Sequence, residues 1–217
     1  PSYIRYVSQV LTILAIVVLS PAQVLINEFN MAFLFLIIFQ ILIGTSIINF
    51  INFLDCLDGL VVSSSLLIFL TLSFENPQLL PLSAILLSFL LWNWYPAKVF
   101  MGDAGSTFIG AVFFSQVFNS LTIKDAFLKL LLFSPIFLDA FTCLIRRYMN
   151  GYNIFKAHKM HLAQRLNIAG WSHSKISKLY FFFTLILCLG YKINNILFMF
   201  LTLISILLFG VWLDANI

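Results

Sequence analysis

Apolar residues run through this chain in long, nearly unbroken blocks separated by short polar interruptions. A helix crossing about 30 Å of hydrocarbon needs roughly 20 mostly apolar residues. Eight stretches meet or approach that length, at about 6–26, 31–49, 60–74, 78–95, 106–121, 125–145, 177–191 and 194–213. The third and seventh are short and fit a tilted or partly interfacial placement. A membrane β-barrel would need alternating segments of about ten residues, and runs such as ILLSFLLW at 85–92 do not alternate. Backbone groups in lipid must bond within their own segment. The predicted fold class is therefore all-α: a polytopic integral membrane protein of about eight transmembrane helices, one domain over 1–217.

Composition supports lipid as the solvent. The chain is 62% hydrophobic and 9% charged, against about 45–50% and about 25% in soluble domains. Mean hydropathy is +1.04. These values exclude a soluble nucleic-acid binder, a disulfide scaffold and a disordered tail. Cys56, Cys143 and Cys188 lack metal-site spacing and are expected to be buried thiols. The chain opens on Pro1 without a signal-peptide pattern, so a fragment is expected.

Eight crossings put the connections alternately on two faces. Arg5, Lys98, Arg146, Arg147, Lys156, Lys159, Arg165, Lys175 and Lys178 share the first face, and Lys124, Lys129 and Lys192 the second. The positive-inside rule makes the first face cytoplasmic. That face also holds the long polar stretch 146–176, read as a loop. Glu28, Glu75, Asp125 and Asp214 read as solvated helix-end acids.

Three polar clusters fall on the cytoplasmic side. In the first, Asn49, Asn52, Asp55 and Asp58 recur every three residues, which is one helix face. In the second, Gly102 and Gly105 flank Asp103 ahead of Ser106, where free N–H groups at a helix start suit an anion. A simple capping loop is the alternative there. The third joins Asp139, the tandem Arg146–Arg147, His158 and His161, and a guanidinium fork matches phosphate oxygens. His173 reads as interfacial. Carboxylate and amide oxygens suggest Mg2+ or Mn2+, and the basic groups suggest a phosphorylated substrate. Phosphoryl transfer joins these parts. A transporter for an anionic solute is a second reading, although no inverted repeat is visible. A non-catalytic membrane subunit or inactive fragment is a third.

The order N-x-x-N-x-x-D-x-x-D-G, P-A-K-x-F-M-G-D-x-G-S and D-A…R-R…A-H-x-x-H resembles the polyprenyl-phosphate N-acetylhexosamine-1-phosphate transferases of glycosyltransferase family 4. WNWYPAKVFMGDAGS is closer to the GlcNAc-1-phosphate or Fuc4NAc-1-phosphate branch than to phospho-MurNAc-pentapeptide translocase. The resemblance implies transfer of an amino-sugar-1-phosphate from a UDP-sugar to undecaprenyl phosphate in the bacterial inner membrane, with Mg2+ (or Mn2+) and release of UMP. It implies Asp103, Asp55 and Asp58 as metal and catalytic residues and His158 and His161 as further catalytic residues. Asn49, Asn52, Lys98, Gly105, Ser106, Arg146 and Arg147 would bind substrate. A homodimer is admitted as an assembly, and nucleic acid is not an expected partner. The sequence departs from the family at Cys56, where Gly is usual, and lacks the family's upstream Asp-Asp pair. That places the start of this chain just after the pair.

Overall fold

The computed structural model describes residues 2–19, 31–152 and 160–217, with side chains for all of them except 2 and 31–34. Ten α-helices carry the described residues: α1 Ser2–Leu19, α2 Met31–Leu54, α3 Leu60–Leu72, α4 Leu80–Asn93, α5 Gly102–Phe118, α6 Ile123–Leu132, α7 Ser134–Met149, α8 Leu162–Ile168, α9 His173–Lys192 and α10 Ile196–Ala215. No strand occurs among the described residues. By length and apolarity, α9, α10 and the Phe35–Leu54 part of α2 are long enough to cross a membrane. The pair α6–α7 makes a fourth if its two halves form one bent span. Helices α1, α3 and α4 are apolar but shorter.

The expected continuous span 125–145 is broken. α6 ends at Leu132 and α7 starts at Ser134, bent by 77°. Pro135 sits in the first turn of α7. A proline there lacks the N–H that would continue the preceding helix and clashes with its last carbonyls, but it is well tolerated where a new helix begins. The expected loop 146–176 is also largely helical at its described ends. α7 runs on to Met149, α8 occupies Leu162–Ile168, and α9 starts at His173, capped by the Ser172 hydroxyl accepting from Lys175 N–H.

In lipid, burial of apolar area does not drive helix association, and close packing of small residues takes its place. Gly110 on α5 is the clearest instance. A Cβ there would lie 2.7 Å from Ile48 Cα on α2, inside contact distance with backbone. α2 and α5 therefore touch almost main chain to main chain, with Ile48, Ile51, Phe113 and Phe114 buried beside the contact. α2 also packs on α1 and α7, while α3 lies against α4 and α9.

At the far end, Glu75 and Asp125 are not simple solvated caps. Lys129 of α6 lies 2.8 Å from Asp125 and 3.9 Å from Glu75, and the Tyr191 hydroxyl reaches both acids at 2.9 and 3.0 Å. The buried Lys129 side chain thus has two acids beside it. Asp214 is likewise committed: it accepts hydrogen bonds from both Arg146 and Arg165, tying the end of α10 to α7 and α8.

Candidate active site

The amide stripe predicted on α2 is present as one helix face, because α2 continues past residue 49 to Leu54. Asn49 exchanges hydrogen bonds with Gln9 of α1 at 3.1 and 3.3 Å and donates back to Thr45 O at 2.8 Å. One turn on, the Asn52 amide donates to Ser106 Oγ at 2.7 Å and to Asp103 Oδ1 at 3.1 Å. Ser106 is fully buried and its hydroxyl donates to Gly102 O at 3.1 Å. Asn52 thus pins the first turn of α5, made possible by the tight α2–α5 contact at Gly110. Asp103 presents its second oxygen to Arg5 Nη1 of α1 at 2.5 Å. This end of the site is open, with the two side chains 46% and 63% exposed.

Asp55 lies just beyond the end of α2, in the turn before α3, and is half-buried. Burial, and then the negative charge of Asp103, raise its carboxyl from 3.8 to about 7. Asp103 itself is held below the usual carboxylate range, chiefly by the Asn52 amide and then by Arg5. Cys56, next to it, is exposed, contrary to the buried thiol expected. Its neighbours Leu54 and Leu57 take the inward positions of this turn, which leaves the Cys56 side chain at the surface.

Asp58 is placed differently. Its Oδ2 accepts from Ala97 N–H at 3.0 Å, Oδ1 lies 3.1 Å from His173 Nδ1, and its carbonyl accepts from Ser177 Oγ at 2.7 Å. Gly59 follows at φ 73°, a conformation that favours glycine, and a Cβ there would meet Trp94 at 2.8 Å. Among the described residues, no three of His, Cys, Asp and Glu come together as a group able to hold a metal ion.

The third cluster is mostly turned inward. Asp139 of α7 accepts from the N–H groups of Leu162 and Ala163 at 2.7 and 3.0 Å and from Tyr180 Oη at 2.6 Å. A carboxylate at a helix start satisfies N–H groups that have no partner within the helix, so Asp139 holds α8 in place. His161 is buried before α8, with Nδ1 3.5 Å from Asp139 and its ring 6.0 Å from that of Phe53. Burial alone would lower its pKa, but hydrogen bonding and charge from Asp139 and Cys143 raise it to about 9. Arg147 is buried as well, and Arg146 is taken by Asp214. Lys98 lies over the Trp92 ring at 5.3 Å. Gly105 gives the room that Met101 fills, since a Cβ would stand 2.3 Å from Met101 Cγ. His158 lies outside the described residues.

Arg5 and Gln9 are the site residues that sequence reasoning passed over. The signal was there: Arg5, Ser8, Gln9 and Thr12 recur at helical spacing in an otherwise apolar first segment. Asp139 was grouped with the arginines, and its role as anchor of α8 has no sequence signal.

The chain spans about half the length, or less, of the curated relatives it matches. A probable undecaprenyl-phosphate N-acetylglucosaminyl 1-phosphate transferase of Bacillus subtilis is 33% identical over 58% of this chain and 39% of its own length. A decaprenyl-phosphate N-acetylglucosaminephosphotransferase of Mycobacterium leprae is 30% identical, over 71% of this chain and 47% of its own. A phospho-N-acetylmuramoyl-pentapeptide-transferase of Kosmotoga olearia is 30% identical, over 67% and 46%. The model of glycosyl transferase family 4 matches residues 1–120, which includes α1, α2, Asp55, Asp58 and the Asp103 loop. With more than half of the chain matched, and the matched part holding the Asn–Asp cluster, this protein is a member of glycosyl transferase family 4.

Proposed function

We propose that the protein transfers an N-acetylhexosamine-1-phosphate from a UDP-linked amino sugar to undecaprenyl phosphate. The products are undecaprenyl-diphosphate sugar and UMP, formed on the cytoplasmic face of a bacterial inner membrane at the start of envelope polysaccharide synthesis. The observation that carries this reading is the convergence of Arg5 and Asn52 on Asp103, where the first turns of α1 and α5 meet the end of α2. The names of the relatives in B. subtilis and M. leprae support the same chemistry.

Two mutually repelling carboxylates offering only oxygen donors fit a hard divalent cation such as Mg2+ or Mn2+, and Asp55 and Asp103 are the residues that would hold it. Such an ion, when bound, neutralises charge on the donor's diphosphate. Asn52 and Ser106 fix the orientation of Asp103. Arg5 can exchange Asp103 for the oxygens of a bound phosphate, which a planar guanidinium matches in pairs. An oxygen of the lipid phosphate then bonds to the phosphorus that bears the sugar. The bridging P–O bond breaks, and its electron pair leaves on the phosphate of UMP.

The reaction is tested in membranes containing the protein, supplied with UDP-GlcNAc and undecaprenyl phosphate. UMP should appear only with Mg2+ or Mn2+, and Asp103→Asn should abolish it. Movement of an anionic solute across vesicles with no UMP release from any UDP-amino sugar would overturn the proposal in favour of a transporter.

A further inference from the structure

The turn between α2 and α3 is tied to two other segments through one side chain pair. On one side the Asp58 carboxylate takes the Ala97 N–H, in the loop that runs from α4 to Gly102 and Asp103. On the other it faces His173, the first residue of α9. The imidazole is fixed from both directions. Its Nδ1 lies 3.3 Å from Asp58 N and 3.1 Å from Asp58 Oδ1, and its ring rests on Tyr95 with centroids 5.5 Å apart. Ser177, one helical turn on in α9, donates to the Asp58 carbonyl. Asn93 at the end of α4 closes the arrangement by accepting from Gly59 N–H at 3.0 Å and donating to Val99 O at 2.9 Å. The polar groups of Asp58 therefore all have protein partners: Ala97 within the stretch 94–101, and His173 and Ser177 on α9.

We infer that His173 is a positioning residue: with Asp58 it straps the 94–101 loop to the 55–59 turn and so sets the separation of Asp55 from Asp103. Asp55 stands three residues before Asp58, and Asp103 six residues after Ala97. Asp55 lies in the turn that this strap holds, and Asp103 lies in the first turn of α5, directly after the loop. His173 itself reaches neither of them, and acts only through the backbone it holds. The inference rests on the transfer reaction proposed above, because the separation of the two acids matters for turnover only if both serve it. Groups that orient a site's carboxylates usually cost 10–100-fold in activity when removed.

Two variants of the full membrane protein test this. His173→Phe keeps a ring against Tyr95 and removes Nδ1; His173→Asn restores a hydrogen-bonding group near the Nδ1 position. Amide hydrogen exchange of the 94–101 peptide reads the strap without reference to catalysis. It should quicken at least tenfold in His173→Phe and return most of the way in His173→Asn. In the same preparations kcat for UMP release should fall 10–100-fold in His173→Phe, with KM for the UDP-sugar within about twofold, and recover partly in His173→Asn. Unchanged exchange in His173→Phe overturns the strap. Faster exchange with unchanged kcat overturns the positioning role. A wild-type protein that releases no UMP while its 94–101 exchange responds to His173→Phe overturns the transfer reaction instead, and the two failures are thereby told apart.

Discussion

The guanidinium of Arg5 donates to the carboxylate of Asp103 across 2.5 Å, between residues 98 positions apart in the chain. The contact joins the first helix to the first turn of α5 at an open edge, where water competes for both groups. An exposed ion pair of this kind stabilises a fold by only about 0–1 kcal/mol. In the transfer reaction proposed above its value is positional: it would keep a cation beside an acid until a phosphate takes its place. Arg5→Ala should leave the detergent melting temperature nearly unchanged while UMP release falls by about 100-fold, the scale of losing one preorganised charge-stabilising donor. Arg5→Lys should recover part of that loss, since an ammonium supplies charge but not the paired donors. Equal loss of stability and turnover would assign Arg5 to the scaffold.

The raised carboxyl of Asp55 gives a pH dependence with a definite sign. Its folded value of about 7 lies above the ordinary 3.8. Folding therefore favours the protonated form; this contribution is fully present below about 3.8 and is lost as pH rises through about 7. Only the ionised form offers charge to a cation, so turnover should climb between pH 6 and 8, and the climb should flatten in Asp55→Asn. Mg2+ should raise the melting temperature more at pH 8 than at pH 6, because the repulsion it relieves exists only when both acids are ionised. An Mg2+ effect independent of pH would sink this account of Asp55.

Gly110 is the hinge between packing and chemistry. Adding even a methyl group puts carbon 2.7 Å from the Ile48 Cα, and backbone cannot step aside as a flexible side chain does. Gly110→Leu should separate α2 from α5 and pull Asn52 away from Asp103 and Ser106. Overpacking of this kind costs about 1–3 kcal/mol. The melting temperature should drop, and turnover should fall further than the stability loss alone accounts for. A Gly110→Leu protein with wild-type activity would show that α2 and α5 do not set the site.

Asp214 holds Arg146 and Arg165 together. Removing its charge leaves two partly buried guanidinium groups facing each other. Asp214→Asn should lower stability by about 1 kcal/mol or somewhat more, and a second change, Arg165→Gln, should recover part of it. The double-mutant cycle in thermal melting measures that coupling. Simple additivity would mean that the pair forms no functional clamp.

Much of the fold was legible because lipid leaves few choices. Long apolar blocks in a solvent without hydrogen bonds must be helices, and the three-residue spacing of Asn49 and Asn52 puts both amides on one face of α2; the same spacing does not carry on to Asp55 and Asp58, because α2 ends at Leu54 and both acids lie in the turn that follows. The break at Phe133 was hidden, because Pro135 lies within an apolar block and a proline can either bend a helix or begin one. Only packing against neighbours chooses between the two.

The residue types alone determined that the chain is a helical membrane protein, since solvation energy depends on composition and period rather than on partners. Tertiary structure decided what each polar group faces. It set Arg5 against Asp103, gave Asp58 to His173 and Ala97, turned Asp139 toward α8, and closed Arg146 onto Asp214. Those pairings join residues from 23 to 115 positions apart along the chain. They depend on which helices touch and at what depth, which the Gly110–Ile48 approach and the bend between α6 and α7 fix, and no local pattern encodes that geometry.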